Sequence, residues 1–225
     1  MTDRAKQRDT LIVFDIDGTL TDTVPLHKQA FSSAIYALGI TEFDDDYGGY
    51  LHHTDSYIFK TIFDKHIGLP VTQPIMQTFE NYLTAHFKLA TVSKPIEEIA
   101  GAALAVAQLQ QNGNYAVAFA TGSLAGPAVL KLVRTGIQYV PELLVAANEL
   151  LTRDEIVLTA IRNAEAYYSR SFRRIISVGD GIWDMKTAFA NGMEFVGIGR
   201  SRFAALPGVG LSIDDFSGTS FFNYL

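Results

Sequence analysis

The sequence predicts an α/β fold: a doubly wound, Rossmann-like parallel sheet interrupted by an inserted all-helical cap domain. Three observations carry that expectation. Five short segments are apolar throughout rather than alternating, the pattern of strands buried on both faces. Helical patterns separate the later segments, as parallel βαβ connections require. The roughly 70 residues between the first and second strands carry helix-forming runs and no central strand, too much chain for a plain crossover.

The first strand is read at Leu11–Phe14. Residues 21–91 are assigned to the cap, with helical runs at Leu26–Leu38, Ser56–Ile67 and Ile75–Leu89 punctuated by Gly39, Gly48-Gly49, Gly68 and Pro70. Phe31, Tyr36, Tyr57, Phe59, Phe63, Phe79, Tyr82 and Phe87 are expected to form its core. Residues 1–20 and 92–225 form the discontinuous α/β core. There, strands are expected at Tyr115–Ala120, Leu143–Ala146, Arg174–Val178 and Phe195–Ile198. Helices are expected over Ile96–Gln111, Pro127–Thr135, Arg153–Tyr168 and Trp183–Asn191, three of them stopped by Gly113, Gly136 and Gly192. The tail after Gly208 reads as an irregular closing segment.

Composition narrows the function classes. At 48% hydrophobic and 19% charged, the 225 residues can bury a full core, which excludes wholesale disorder. A net charge of −6 argues against a nucleic-acid binder, which needs a basic face. With no cysteine there is no disulfide scaffold, thiolate metal site or thiol nucleophile. The start, Met1 to Asp9, is charged and polar and reads as no signal peptide. The longest apolar run, Ile99–Ala107, is far short of the roughly 18 residues of a membrane span. Together these predict a cytoplasmic globular protein, monomer or homodimer, without membrane or nucleic-acid partners.

Three constellations stand at predicted strand ends. Asp15-Ile-Asp17-Gly18-Thr19 closes the first strand with two carboxylates. At 4 Å these would repel by about 1–4 kcal/mol, and a hard divalent cation is the usual counterweight. Alone, the segment is equally a solvated acidic turn. Gly179-Asp180-Gly181-Ile-Trp-Asp184 repeats the arrangement, although Asp180 as a helix cap and Asp184 in a first turn would account for it alone. Thr121-Gly122-Ser123 offers hydroxyls and backbone N–H groups at a helix start, suited to an anion. Because all three fall on the carboxyl edge of one sheet, they can converge on a phosphoryl-transfer site.

In ordered combination, these motifs resemble those of the haloacid dehalogenase-like hydrolase superfamily, in its phosphoglycolate phosphatase and β-phosphoglucomutase-like branch with a helical cap. The resemblance implies a phosphatase acting on a small phosphorylated metabolite. Asp15 would be the nucleophile forming an aspartyl-phosphate, and Asp17 the acid and then the base. Mg²⁺ would be held by Asp15, the Asp17 backbone carbonyl and Asp180, with Asp184 in support; Thr121 and Gly122 would bind the phosphoryl group. The family's lysine before the fourth motif is missing. Arg153 is the first candidate to replace it and Lys131, from the preceding helix, the second. A phosphomutase using the same nucleophile and a non-catalytic phosphate-binding regulator are the alternative readings. Asp17 speaks against a carbon–halogen hydrolase, which has no alkoxide to protonate.

In the cap, His52 and Thr54 are candidate substrate contacts, with His53 and Asp55 beside them. His27 and Lys28 read as helix surface, Asp44 to Asp46 as a solvated loop or cap, and Trp183 as packing.

Overall fold

The computed structural model describes residues 9–225; the N-terminal segment read as polar therefore lies outside the described residues, except for Asp9. Six parallel strands, β1 Thr10–Phe14, β2 Tyr115–Ala120, β3 Leu144–Val145, β4 Arg174–Gly179, β5 Glu194–Ile198 and β6 Leu211–Ile213, form one sheet in the order β3-β2-β1-β4-β5-β6. The order reverses at β1, which pairs with β2 on one side and β4 on the other. That reversal opens a crevice beyond the carboxyl ends of β1 and β4, the place where such sheets bind ligands.

Both faces of the sheet are covered. Along β1, Ile12 and Phe14 join a cluster with α4 Ala102–Gln111, α5 Ala125–Arg134 and α9 Ser220–Tyr224. Leu11 and Val13 point the other way, to α6 Arg153–Tyr168 and α7 Ile182–Ala190. Alternate side chains are thus buried on opposite faces, the physical reason for uniformly apolar strands. A short helix, α8 Arg200–Phe203, follows β5.

The cap consists of α1 Val24–Ala37, α2 Asp55–Ile67 and α3 Gln73–Ser93 around a separate apolar cluster. Phe59 and Phe79 stack at its centre with centroids 3.9 Å apart. Three expected core aromatics are not there: Tyr36 and Tyr82 are exposed and Tyr57 is half-buried. Their hydroxyls favour the cap's wet rim over its apolar interior. Helix α3 runs to Ser93, so the boundary read at 91/92 falls inside a helix.

Two further readings are corrected. The stretch Ile96–Gly101 is not helical, because its backbone pairs with the outgoing linker: Asp22 N–H donates to Glu97 O, and Ile99 N–H to Leu20 O. The two linkers between cap and core are therefore zipped together. The closing segment is not irregular, since it contributes β6 and α9; three residues are too few for a strand period to be read.

Candidate active site

The site is built where β1 and β4 end. Gly18 adopts φ +75°, and a Cβ there would collide with the Asp180 carboxylate, so a glycine is needed for the two strand ends to approach. Asp15, Asp180 and Asp184 each offer a carboxylate oxygen within 4.8 Å of the others. Arg153 answers two of them: its Nη1 donates to Asp15 Oδ1 at 2.8 Å and lies 3.5 Å from Asp184 Oδ1. Arg153 is the first residue of α6, whose start is set by a capping box between Thr152 and Glu155.

Burial, followed by repulsion from Asp184, pushes the Asp15 carboxyl well above its ordinary value, although Arg153 opposes the rise. Asp184 is raised by burial and by Asp180. Burial and Asp15 raise Asp180 to about 6 despite Arg202. Arg202, half-exposed on α8, donates to both the carbonyl and the carboxylate of Asp180. Asp184 Oδ2 also accepts the Gly181 N–H, so it caps its own helix while facing the cluster.

Asp17 stands apart from this cluster. Its Oδ1 accepts from Thr23 Oγ1 and its Oδ2 from Lys131 Nζ, each at 2.6 Å. Burial pushes the Asp17 carboxyl up, but Lys131, His27 and the Thr23 hydroxyl together hold it below its ordinary value. Both side-chain oxygens are engaged, leaving the backbone carbonyl for a metal. Lys131 is wholly buried.

Above these acids lies a cavity of about 430 Å³ between core and cap. The core contributes Asp17, Thr121, Gly122, Arg153 and Asp180; the cap contributes Phe31, Tyr47, His53, Thr54 and Ile58. Asp15 does not itself line the cavity; Arg153, which does, bonds to Asp15. Gly122 has no room for a side chain: a Cβ would meet His53 O and the Arg153 guanidinium. Thr121 Oγ1 accepts the Ser123 N–H at 3.1 Å.

The helix start expected to receive an anion is otherwise occupied. Leu124 N–H donates to Asp55, Ala125 N–H to Asn148 and Gly126 N–H to Glu80. The α5 N-terminus therefore seats the carboxylates of the cap helices, which suit its partial positive charge. Of the two cap candidates, Thr54 lines the cavity, while its hydroxyl donates to Leu151 O and accepts Tyr57 N–H as the α2 cap. His52 does not line it; its ring packs on Tyr57. His53 takes that place, stacked on Trp183 at 4.2 Å. His27 is not merely surface: it contacts Lys131 through Nδ1 and Asp55 through Nε2.

A doubly wound sheet with clustered carboxylates at its switch point, roofed by a helical cap, defines a capped α/β hydrolase. The sequence model of the haloacid dehalogenase-like hydrolases matches residues 12–198, and the chain belongs to that family. No curated protein matches the chain. Among solved structures it is similar to CbbY from Rhodobacter sphaeroides in complex with phosphate, at 21% identity over 93% of this chain and 96% of that one, TM-score 0.69. A mutant of that protein bound to xylulose-(1,5)bisphosphate gives a TM-score of 0.70 at the same identity and coverage. A HAD hydrolase of family IA, variant 3, from Entamoeba histolytica HM-1:IMSS matches at 16% identity over 92% of this chain and 93% of that one, TM-score 0.66. At these identities the likeness shows a shared fold.

Proposed function

We propose that the protein is a Mg²⁺-dependent phosphatase that hydrolyses a small phosphomonoester through an aspartyl-phosphate on Asp15. The observation that carries this reading is the cluster of Asp15, Asp180 and Asp184 beneath the cavity between core and cap, with Arg153 bonded to Asp15. Three carboxylates, two of them buried, face two guanidiniums, Arg153 and the half-exposed Arg202, which leaves negative charge uncompensated, and an all-oxygen donor set suits a hard divalent ion. Bound there, Mg²⁺ supplies neutralisation of the phosphoryl oxygens.

The chain's own residues account for the rest. Asp15 attacks phosphorus as the bond to the leaving oxygen breaks, and that oxygen takes its proton through Asp17, a carboxylate at rest that first collects the proton from the bound phosphomonoester monoanion. Water then attacks the aspartyl-phosphate, its proton passes to Asp17, and Asp15 is released as a carboxylate. Arg153 can transfer its N–H groups from Asp15 to phosphoryl oxygens, while Thr121 and Gly122 border the same space. Residues 21–91, extended to the end of α3, act as the cap. By enclosing the leaving group it favours small metabolites over phosphoproteins.

Among the described residues no helix is long and apolar enough to cross a membrane; a cytoplasmic location and a monomeric or homodimeric state belong to the proposal. The sugar bisphosphate bound by CbbY makes sugar mono- and bisphosphates the first compounds to assay. The test is phosphate release from such a panel with and without Mg²⁺, beside Asp15→Asn. Turnover that requires both Mg²⁺ and Asp15 is expected; unchanged turnover by Asp15→Asn refutes the reading. Isomerised sugar phosphate in place of free phosphate would identify a mutase.

A further inference from the structure

Lys131 is the most completely buried cation among the described residues, at 0% exposure, and the chemistry above gives it no task. It sits on the apolar face of α5 beside Pro127, Ala128 and Leu132, where an uncompensated ammonium would be costly. Its three N–H directions are all used: Asp17 Oδ2 at 2.6 Å, His27 Nδ1 at 3.0 Å and Ser123 Oγ at 3.3 Å. The Phe87 ring closes the fourth side, 5.1 Å away. An ammonium facing Nδ1 assigns His27 as the neutral tautomer, with its Nε2–H donated to the Asp55 carboxylate. Asp55 in turn accepts the Leu124 N–H at the start of the same α5. The chain of contacts begins and ends on α5 and passes through α1 and α2 of the cap.

We infer that Lys131 is the positioning residue for Asp17, holding its carboxylate in place for the water step, and that His27 and Asp55 complete this hold only when the cap is seated. The inference rests on the phosphatase reading. Asp17 must present one oxygen to a water in line with the Asp15–phosphorus bond. Thr23 on Oδ1 and Lys131 on Oδ2 remove its rotational freedom. In that step the water oxygen bonds to phosphorus, the phosphorus–Oδ bond to Asp15 breaks, and the water proton passes to Asp17. This role differs from that of Arg153, which bonds to Asp15.

A substrate with a good leaving group isolates the step, because its phosphoryl transfer to Asp15 needs no acid. With 4-nitrophenyl phosphate and Mg²⁺, Lys131→Met is expected to lower kcat by about tenfold or more and to lower KM in parallel. Then kcat/KM stays within about twofold of the parent, and rapid mixing gives a nitrophenolate burst approaching one equivalent. Retention of labelled phosphate on acid-quenched protein identifies the accumulated intermediate. A proportional fall in kcat and kcat/KM without a burst marks a merely structural lysine and overturns the inference, as does unchanged kcat. Should Lys131→Met not fold by circular dichroism, Lys131→Gln keeps a donor and is expected to give the same split in weaker form. If neither folds, the lysine is structural and the inference falls. A parent protein with no Mg²⁺- and Asp15-dependent turnover refutes the phosphatase reading instead.

Discussion

Two halves of the site, centred on Asp15 and Asp17 with only Ile16 between them just past the end of β1, are built on opposite electrostatic plans. Around Asp15, three carboxylates meet Arg153, with Arg202 reaching Asp180 from a half-exposed position. Around Asp17, every partner is already present: Thr23, Lys131, then His27 and Asp55. The first half is held in tension, with its carboxyls pushed up by burial and mutual repulsion. The second is settled, with its carboxyl pulled down by its lysine. The contrast teaches where the missing charge belongs. A divalent cation would relieve the Asp15 half and has no place beside the Asp17 side chain.

The largest expected effect is on the tense half. Asp15→Asn removes the nucleophile and should reduce phosphate release by about 10³-fold or more, as measured by steady-state turnover. Asp180→Asn should cost roughly 10²-fold at fixed Mg²⁺ and abolish the rise in Tm on adding Mg²⁺. A Mg²⁺-dependent Tm that survives this change would place the cation elsewhere.

The pH dependence follows with a definite sign. Because Asp15, Asp180 and Asp184 have raised values, the folded chain holds more protons than the unfolded one between about pH 4 and 7. Their contribution to stability is therefore present below pH 4 and lost as the pH rises through that window. Mg²⁺ should then raise Tm more at pH 7 than at pH 4.5, and thermal melts at the two values check it. A Mg²⁺ shift independent of pH would contradict the tension in the Asp15 half.

The smallest effect concerns the cap's seat. Glu80 is buried and accepts from Gly126 N–H and Asn148 Nδ2, both at 2.7 Å. Glu80→Gln turns an N–H₂ group toward one of these donors and should cost about 1–3 kcal/mol in urea unfolding. Retention of full stability would show that the α5 end does not depend on the cap carboxylate.

Much of this was legible in the chain. The apolar runs placed β1, β2, β4 and β5 closely, and the capping pair Thr152 and Glu155 marked the start of α6. Asp15, Asp17, Asp180 and Asp184 were readable as a group because they follow strand ends, Asp184 in the first turn of the helix after β4, although packing sets the Asp17 side chain apart. Lys131 carries a signal in the sequence, a lysine on an otherwise apolar helical stripe. His53 and His52 could not be told apart, because neighbours in a loop differ only in the direction each side chain takes. The occupied α5 N-terminus was likewise hidden, since its partners Asp55 and Glu80 come from distant helices.

Local order thus determines the strands, their terminal acids and the capping turns, because backbone periodicity and turn chemistry act over a few residues. Which cation meets which acid was left to tertiary packing. Lys131 and Asp17 are 114 residues apart in sequence, and no local periodicity reaches that far. Only the seating of α5 against the sheet and the cap brings them within 2.6 Å. Burial then raises the energetic weight of that contact, because a charge removed from water must find its partner in the fold.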